Sequence, residues 1–139
     1  MTVIARLRQE HIDAMVRHAL EDAPVEACGL LATSDGTVTR VHPAVNAENS
    51  PYRFSIDHRE QRRIQEEMDD AGHDLGGFYH SHTGSEPRPS PTDIRMMSTF
   101  FGPPYVHFIV GVAEPETPVV RVFYIQDGDA TEHEFEVLD

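Results

Sequence analysis

The chain has 139 residues, 39% of them hydrophobic and 25% charged, which is enough apolar material for one core but not for two. Its eleven basic residues are all arginine and its net charge is −13, so phosphate backbones are repelled and nucleic acid is excluded as an expected partner. No apolar run approaches the roughly 20 residues of a membrane span. The N-terminus lacks the apolar stretch of a signal peptide, and the single cysteine, Cys28, has no partner for an internal disulfide. A cytoplasmic protein that avoids membranes is therefore expected.

There is no repeat, low-complexity tract or dividing linker, so residues 1–139 read as one domain. Residues 9–21 place Ile12, Met15, Val16, Ala19 and Leu20 on one helical face, and Pro24 closes that helix. The mostly apolar run EACGLLAT, the turn signal Ser34-Asp35-Gly36 and the alternating TVTRVHPAV predict a β-hairpin over 26–45. NAENSPYR reads as a loop. Asp57 followed by Glu60 resembles a capping box opening a second helix, with a thin apolar face of Ile56, Ile64, Met68 and Ala71 and a stop at Gly72. DLGGFYHSH is a short strand weakened by two glycines, and TGSEPRPSPTD is a proline-rich loop. Ser90-Pro91-Thr92-Asp93 then starts a helix that runs to about Phe101. YVHFIVGVA, VVRVFYIQ and ATEHEFEVL are three closing strands. The order α-β-β-α-β-α-β-β-β predicts an α+β fold, one mixed sheet with helices against it.

The chemistry concentrates in His80-Ser81-His82. Two histidines two apart on a strand point the same way, bringing two imidazoles within reach of one ion. Asp93, eleven residues further on, is the candidate third ligand across a loop that can fold back. Two histidines, one aspartate and an open position make a catalytic rather than a structural site. The donor set also suits iron, manganese or cobalt; zinc is favoured because hydrolysis needs no redox chemistry. Attack by water needs a group that takes a proton and returns it to the leaving group. Glu26, a carboxylate just before a buried strand, is the candidate. Ser90 could donate to the developing oxyanion. Each residue also has a plainer reading. Ser90 and Asp93 are what a helix N-terminus wants as caps, Glu26 could be an ordinary exposed acid, and Cys28 reads as a small buried apolar residue. The spacing from His82 to Glu86 also meets a cupin-type metal pattern, although the predicted helices do not suit an all-β barrel.

As a set, Glu26…His80-Ser81-His82-(seven residues)-Ser90-(two residues)-Asp93, flanked by EACGLL and FYHSHT, resembles the JAMM, or MPN-plus, metalloprotease motif. The resemblance covers nearly the whole chain. It implies a single mixed, curved β-sheet flanked by helices, of cytidine-deaminase-like architecture. It further implies zinc held by His80, His82 and Asp93, with Glu26 as acid/base and Ser90 stabilising the tetrahedral intermediate. The reaction implied is hydrolysis of the bond after a Gly-Gly tail of a ubiquitin-like protein. The short chain, Thr83 after the second histidine, and the stretches NAENSPYRFSID and HSHTGSEPRPSPTD resemble the compact bacterial branch, whose actinobacterial members free cysteine from a sulfur-carrier protein. The expected partner is thus a ubiquitin-like sulfur carrier ending in Gly-Gly, with a more general isopeptidase or a non-catalytic scaffold as alternatives and homodimer formation left open. Asn46 and Arg53, in a loop placed to line a tail-binding groove, are candidates for contacting the tail or the released carboxylate; solvated loop residues are the plainer reading.

Overall fold

The computed structural model describes residues 2–139. The elements in chain order are β1 (Val3–Arg8), α1 (Gln9–Asp22), β2 (Cys28–Ser34), β3 (Thr37–Ala44), α2 (His58–Asp70), β4 (Asp74–His82), α3 (Pro91–Ser98), β5 (Val106–Gly111), β6 (Val119–Gln126) and β7 (Asp129–Leu138). The sheet order is β1-β3-β2-β4-β5-β6-β7, and it closes on itself because β1 runs parallel to β7 as well as meeting β3. The β1–β7 seam is long, from Val3 opposite Glu134 to Arg8 opposite Leu138, whereas β1 touches β3 only at Arg6 opposite Thr37. β4 pairs antiparallel with β2 and parallel with β5, so the sheet is mixed. The helices pack against it, giving the expected α+β architecture.

The one element missing from the sequence reading is β1. VIARLR carries two arginines in six residues and only Ala5 and Leu7 are buried, so its alternation is weak; its pairing partner lies at the far end of the chain. The β2–β3 hairpin forms as expected around Asp35 (φ 51°) and Gly36 (φ 79°), two successive left-handed residues that match the twist of the flanking strands. Two local expectations are corrected. Asp57 caps α2 by accepting from the Arg59 N–H, but there is no capping box, because Glu60 Oε1 instead accepts the Val45 N–H at 2.9 Å. And α3 stops at Ser98, short of Phe101.

β4 is not the weak, short strand that its glycines suggested. It has nine residues and sits in the middle of the sheet. A Cβ on Gly76 would run into the Thr33 side chain, and one on Gly77 into the Val106 carbonyl, so both positions need the missing side chain for β2 and β5 to come close. Alternation along the strands then separates two apolar clusters. Leu31, Tyr79, Phe108 and Val110 pack with Met15 and Ala19 of α1, while Leu30, Ala32 and Phe78 pack with Ile64 and Met68 of α2 and Met97 of α3. His80 and His82 follow Phe78 at intervals of two, which turns them toward the face that carries α2 and α3. Among the described residues no helix is long and apolar enough to cross a membrane.

Candidate metal centre and active site

His80 and His82 end β4, and the chain then crosses over through α3 to the parallel strand β5. Such a crossover starts its helix near the carboxyl end of the first strand, so the N-terminus of α3 arrives beside the two imidazoles. Ser90 and Asp93 form a reciprocal capping box there. Asp93 N–H donates to Ser90 Oγ at 3.1 Å, and Ser90 N–H donates to Asp93 Oδ2 at 2.8 Å. The capping and ligand readings are therefore not alternatives: the cap holds the Asp93 carboxylate in the rotamer that meets the histidines.

Asp93 Oδ2 lies 3.0 Å from His80 Nε2 and 3.3 Å from His82 Nε2, and the two nitrogens are 3.2 Å apart. All three side chains are buried. Donor atoms about 2.0–2.1 Å from a tetrahedral ion stand about 3.3 Å from each other, so this near-equilateral triangle fits three corners of a zinc-sized site. The tautomers agree. His82 Nδ1 faces the Glu86 carbonyl oxygen at 2.8 Å and donates its proton there, so whenever the ring is neutral Nε2 turns a lone pair toward the triangle. Phe54, 4% exposed, stacks on the His80 ring at 4.5 Å and fixes its plane.

Burial disfavours a charged Asp93, yet hydrogen bonds from His80, His82 and the Ser90 amide outweigh it and hold the carboxyl well below the usual carboxylate range. Burial lowers His80, against the pull of Asp93. Burial also works against a charged His82, but its bonds to Asp93 and the Glu86 carbonyl prevail and raise it.

Glu26 is 3% exposed, and its Oε1 has no hydrogen-bond partner among the described residues. Burial pushes its carboxyl up to about 7, with His82 pulling it down and Asp93 raising it further. Its backbone is fixed on both sides: its N–H donates to the Ser50 carbonyl at 2.9 Å and its carbonyl accepts from Asn46 Nδ2 at 3.0 Å. Ser81, the residue between the histidines, completes the clamp. Its Oγ accepts the Ala27 N–H at 2.8 Å and its N–H donates to the Ala27 carbonyl at 3.0 Å, tying the segment next to Glu26 to β4.

Two overlapping triads share the histidine pair. One adds Asp93 Oδ2; in the other a Glu26 oxygen and the two imidazoles lie within 4.8 Å of one another. The Asp93 triangle is the tighter of the two, and Glu26 Oε1 stays unpaired close to the same imidazoles. Glu26, His82 and Ser90 line a cleft of about 360 Å³ together with Pro51 and Tyr52. A larger cavity of about 570 Å³, bounded by Glu21, Asp22, Val45 and Glu60, contains none of the triangle's groups.

The chain belongs to the prokaryotic JAB-domain family. The model of that family, prokaryotic homologs of the JAB domain, matches residues 8–125. Over 136 residues, 96% of this chain and 90% of the relative, it is 36% identical to the CysO-cysteine peptidase of Mycobacterium tuberculosis strain H37Rv. It is 42% identical to the desampylase of Haloferax volcanii over 104 residues, 70% of this chain and 73% of that one. The solution structure of a protein from Desulfitobacterium hafniense superposes with a TM-score of 0.87 at 34% identity, covering 97% of this chain and 93% of that one. A JAB1/MPN domain protein from Archaeoglobus fulgidus, at 18% identity, TM-score 0.64 and coverage of 96% and 99%, shares the fold. The protein is thus an enzyme of the JAMM peptidase type, as its motif suggested.

The remaining sequence-based candidates fall elsewhere. Asn46 is not a solvated loop residue: it is 6% exposed, its Nδ2 donates to the Glu26 and Arg53 carbonyls, and its Oδ1 accepts from Glu48 and Ser55. No polar atom is left over for a substrate. Arg53 is exposed and pairs with Glu48 at 3.5 Å. Glu86 turns its side chain to Arg121 at 3.8 Å while Asp93 faces the histidines, which overturns the cupin pattern. Cys28 is fully buried, and burial pushes its thiol up to about 12, so it is no nucleophile. Phe54 and Ser81 escaped the sequence reading, and Asn46 entered it only as a tail contact, not as the tether of the Glu26 backbone that it is. The available signals were an apolar residue inside a polar loop and a serine framed by two candidate ligands.

Proposed function

We propose that the chain is a zinc-dependent peptidase that hydrolyses the bond after the C-terminal Gly-Gly of a ubiquitin-like sulfur-carrier protein, releasing cysteine from a carrier–cysteine adduct in the cytoplasm, with residues 1–139 forming one catalytic domain. The observation that carries this reading is the triangle of His80 Nε2, His82 Nε2 and Asp93 Oδ2 beside the unpartnered carboxylate of Glu26. The name of the mycobacterial relative supports the carrier–cysteine substrate.

His80, His82 and Asp93 would hold the ion, and a bound divalent cation would supply Lewis acidity at the scissile carbonyl and a more acidic water. The protein's own groups do the rest. Glu26, with a carboxyl near neutrality, is poised to take the proton of the attacking water at Oε1 and return it to the leaving amine. Ser90 Oγ already accepts from the Asp93 N–H, so its own O–H is free to donate to the oxygen that turns negative. Asn46 and Ser81 grip the Glu26–Ala27 peptide at its carbonyl and its amide, the Ser50 carbonyl accepts the Glu26 N–H, and together they keep the base in place.

The haloarchaeal relative named desampylase favours a second reading, a general isopeptidase on ubiquitin-like modifiers. Incubation of the protein with a sulfur carrier bearing a C-terminal cysteine adduct, read by intact mass, separates the two. Loss of one cysteine that a chelator abolishes supports the first. An adduct left intact while a carrier–lysine isopeptide is cleaved supports the second. If neither is cleaved, the carrier substrate is wrong.

A further inference from the structure

We propose that Tyr52 reads the substrate tail: its ring packs flat on an extended, side-chain-free chain end as that end passes into the catalytic cleft. The inference rests on the tail-cleaving reading above and names the residue that would make it selective. Tyr52 is 83% exposed, and its ring stacks on no other aromatic group among the described residues. It nevertheless lines the same cleft of about 360 Å³ as Glu26, His82 and Ser90.

An aromatic ring left in water on a mobile loop would carry no message, but this loop is anchored on both sides. Ser50 O accepts the Glu26 N–H at 2.9 Å, Asn46 Nδ2 bonds the Arg53 carbonyl at 3.0 Å, and the Tyr52 N–H donates to Ser50 Oγ at 3.0 Å. Pro51 fixes the backbone just before the ring. The loop is thus hydrogen-bonded to the backbone of the very carboxylate it stands beside, and the backbone from which the ring projects is fixed relative to Glu26. An exposed tyrosine on an anchored backbone has only two side-chain torsions to fix, so it offers a large contact surface at little cost in conformational entropy.

The cleft is too small for a folded domain and fits a short stretch of chain. Polar groups line it at Glu26, His82 and Ser90, and apolar surface comes from Pro51 and Tyr52. Glycine lets a peptide plane lie directly on the ring, whereas a side chain at that position would lift the chain from the ring and from the cleft. The occupant is therefore the flexible C-terminal tail of a substrate protein, recognised by the absence of side chains.

The test is steady-state kinetics of wild type, Tyr52→Ala and Tyr52→Phe on a carrier–cysteine adduct and on a free tail peptide with the same Gly-Gly-Cys end. The expected result is a KM raised on the order of tenfold in Tyr52→Ala on both substrates, as for loss of an aromatic anchor. The turnover number should stay within about twofold and the melting temperature should not move, while Tyr52→Phe restores the wild-type KM, since the ring and not the hydroxyl makes the contact. An unchanged KM in Tyr52→Ala, a fall in turnover alone, or an effect confined to the folded carrier would overturn the inference while leaving the enzyme's activity on the tail standing. Wild-type protein inactive on both substrates would instead remove the functional reading, and this inference with it.

Discussion

Ser90 and Asp93 show how one local structure can serve two ends. The capping box fixes the carboxylate by local hydrogen bonds, and the same carboxylate oxygen closes the triangle with the histidines. Replacing Ser90 by alanine should therefore be costly twice over: about 1 kcal/mol of stability for the lost cap, and on the order of a hundredfold in turnover for the lost oxyanion donor. Calorimetry and steady-state rates on the same variant read the two separately; a stability loss with an unchanged rate would leave only the cap. Glu26 is the complementary case, since its side-chain oxygen bonds nothing. Glu26→Gln should keep the metal and lose at least about a hundredfold in turnover, checked by metal analysis beside the rate. The motif made these residues legible because their spacing is a property of the chain itself. Phe54 was not legible, nor was the tethering role of Asn46, because what they do depends on a loop folding back onto β4 and β2, and nothing local encodes that contact.

The elements carry a second layer of information that the sequence expressed ambiguously. Paired glycines normally weaken a strand, and that is how Gly76-Gly77 reads in isolation. In the sheet they let β2 and β5 close in on β4, so the strand that ends in the histidines is held centrally. Gly77→Ala, with a Cβ directed at the Val106 backbone, should lose about 2–3 kcal/mol in chemical denaturation, as overpacking does elsewhere. A loss within error of zero would mean that β4 and β5 can part without consequence. Asn46→Ala removes the donors to two backbone carbonyls, one of them that of Glu26. It should cost about 1–3 kcal/mol and lower turnover as well, because the base loses one of its two backbone tethers. Helix and hairpin placement came readily from periodicity and turn chemistry, since α1, the β2–β3 turn and α2 are all specified by neighbours in sequence. The capping box of α2 and the end of α3 did not: Glu60 was recruited by Val45 of the preceding loop, and α3 stopped at Ser98 with no glycine or proline there to announce it.

At the scale of the whole molecule, β1 closes the sheet by pairing with β7, more than a hundred residues away in the chain. No local pattern in VIARLR could have revealed this. The cluster under α2 and α3 also buries a group that responds to pH. His107 on β5, 2% exposed, donates from Nε2 to the Phe101 carbonyl at 2.8 Å and stacks on Phe78. Burial lowers it from 6.5 to about 4, the Phe101 bond opposing and nearby His80 adding to the drop. Above pH 6.5 the folded and unfolded chains both keep it neutral, and it carries no penalty. As the pH falls from 6.5 toward 4, the unfolded chain takes up a proton that the folded chain refuses, so stability should decline by up to about 3 kcal/mol for this group. His107→Phe should flatten that part of the stability profile, measured by denaturation at stepped pH; an unchanged slope would assign the acid sensitivity to other groups.

All of these functional expectations depend on which side chains hold the ion, and the two triads around His80 and His82 make that question sharp. The most direct measurement is zinc content per chain for wild type, Asp93→Ala and Glu26→Gln after equal exposure to zinc and gel filtration. The expected result is about one zinc per chain in wild type and in Glu26→Gln, with the ion lost from Asp93→Ala. Retention by Asp93→Ala together with loss from Glu26→Gln would contradict it, because Glu26 would then be a ligand rather than the free base beside the ion.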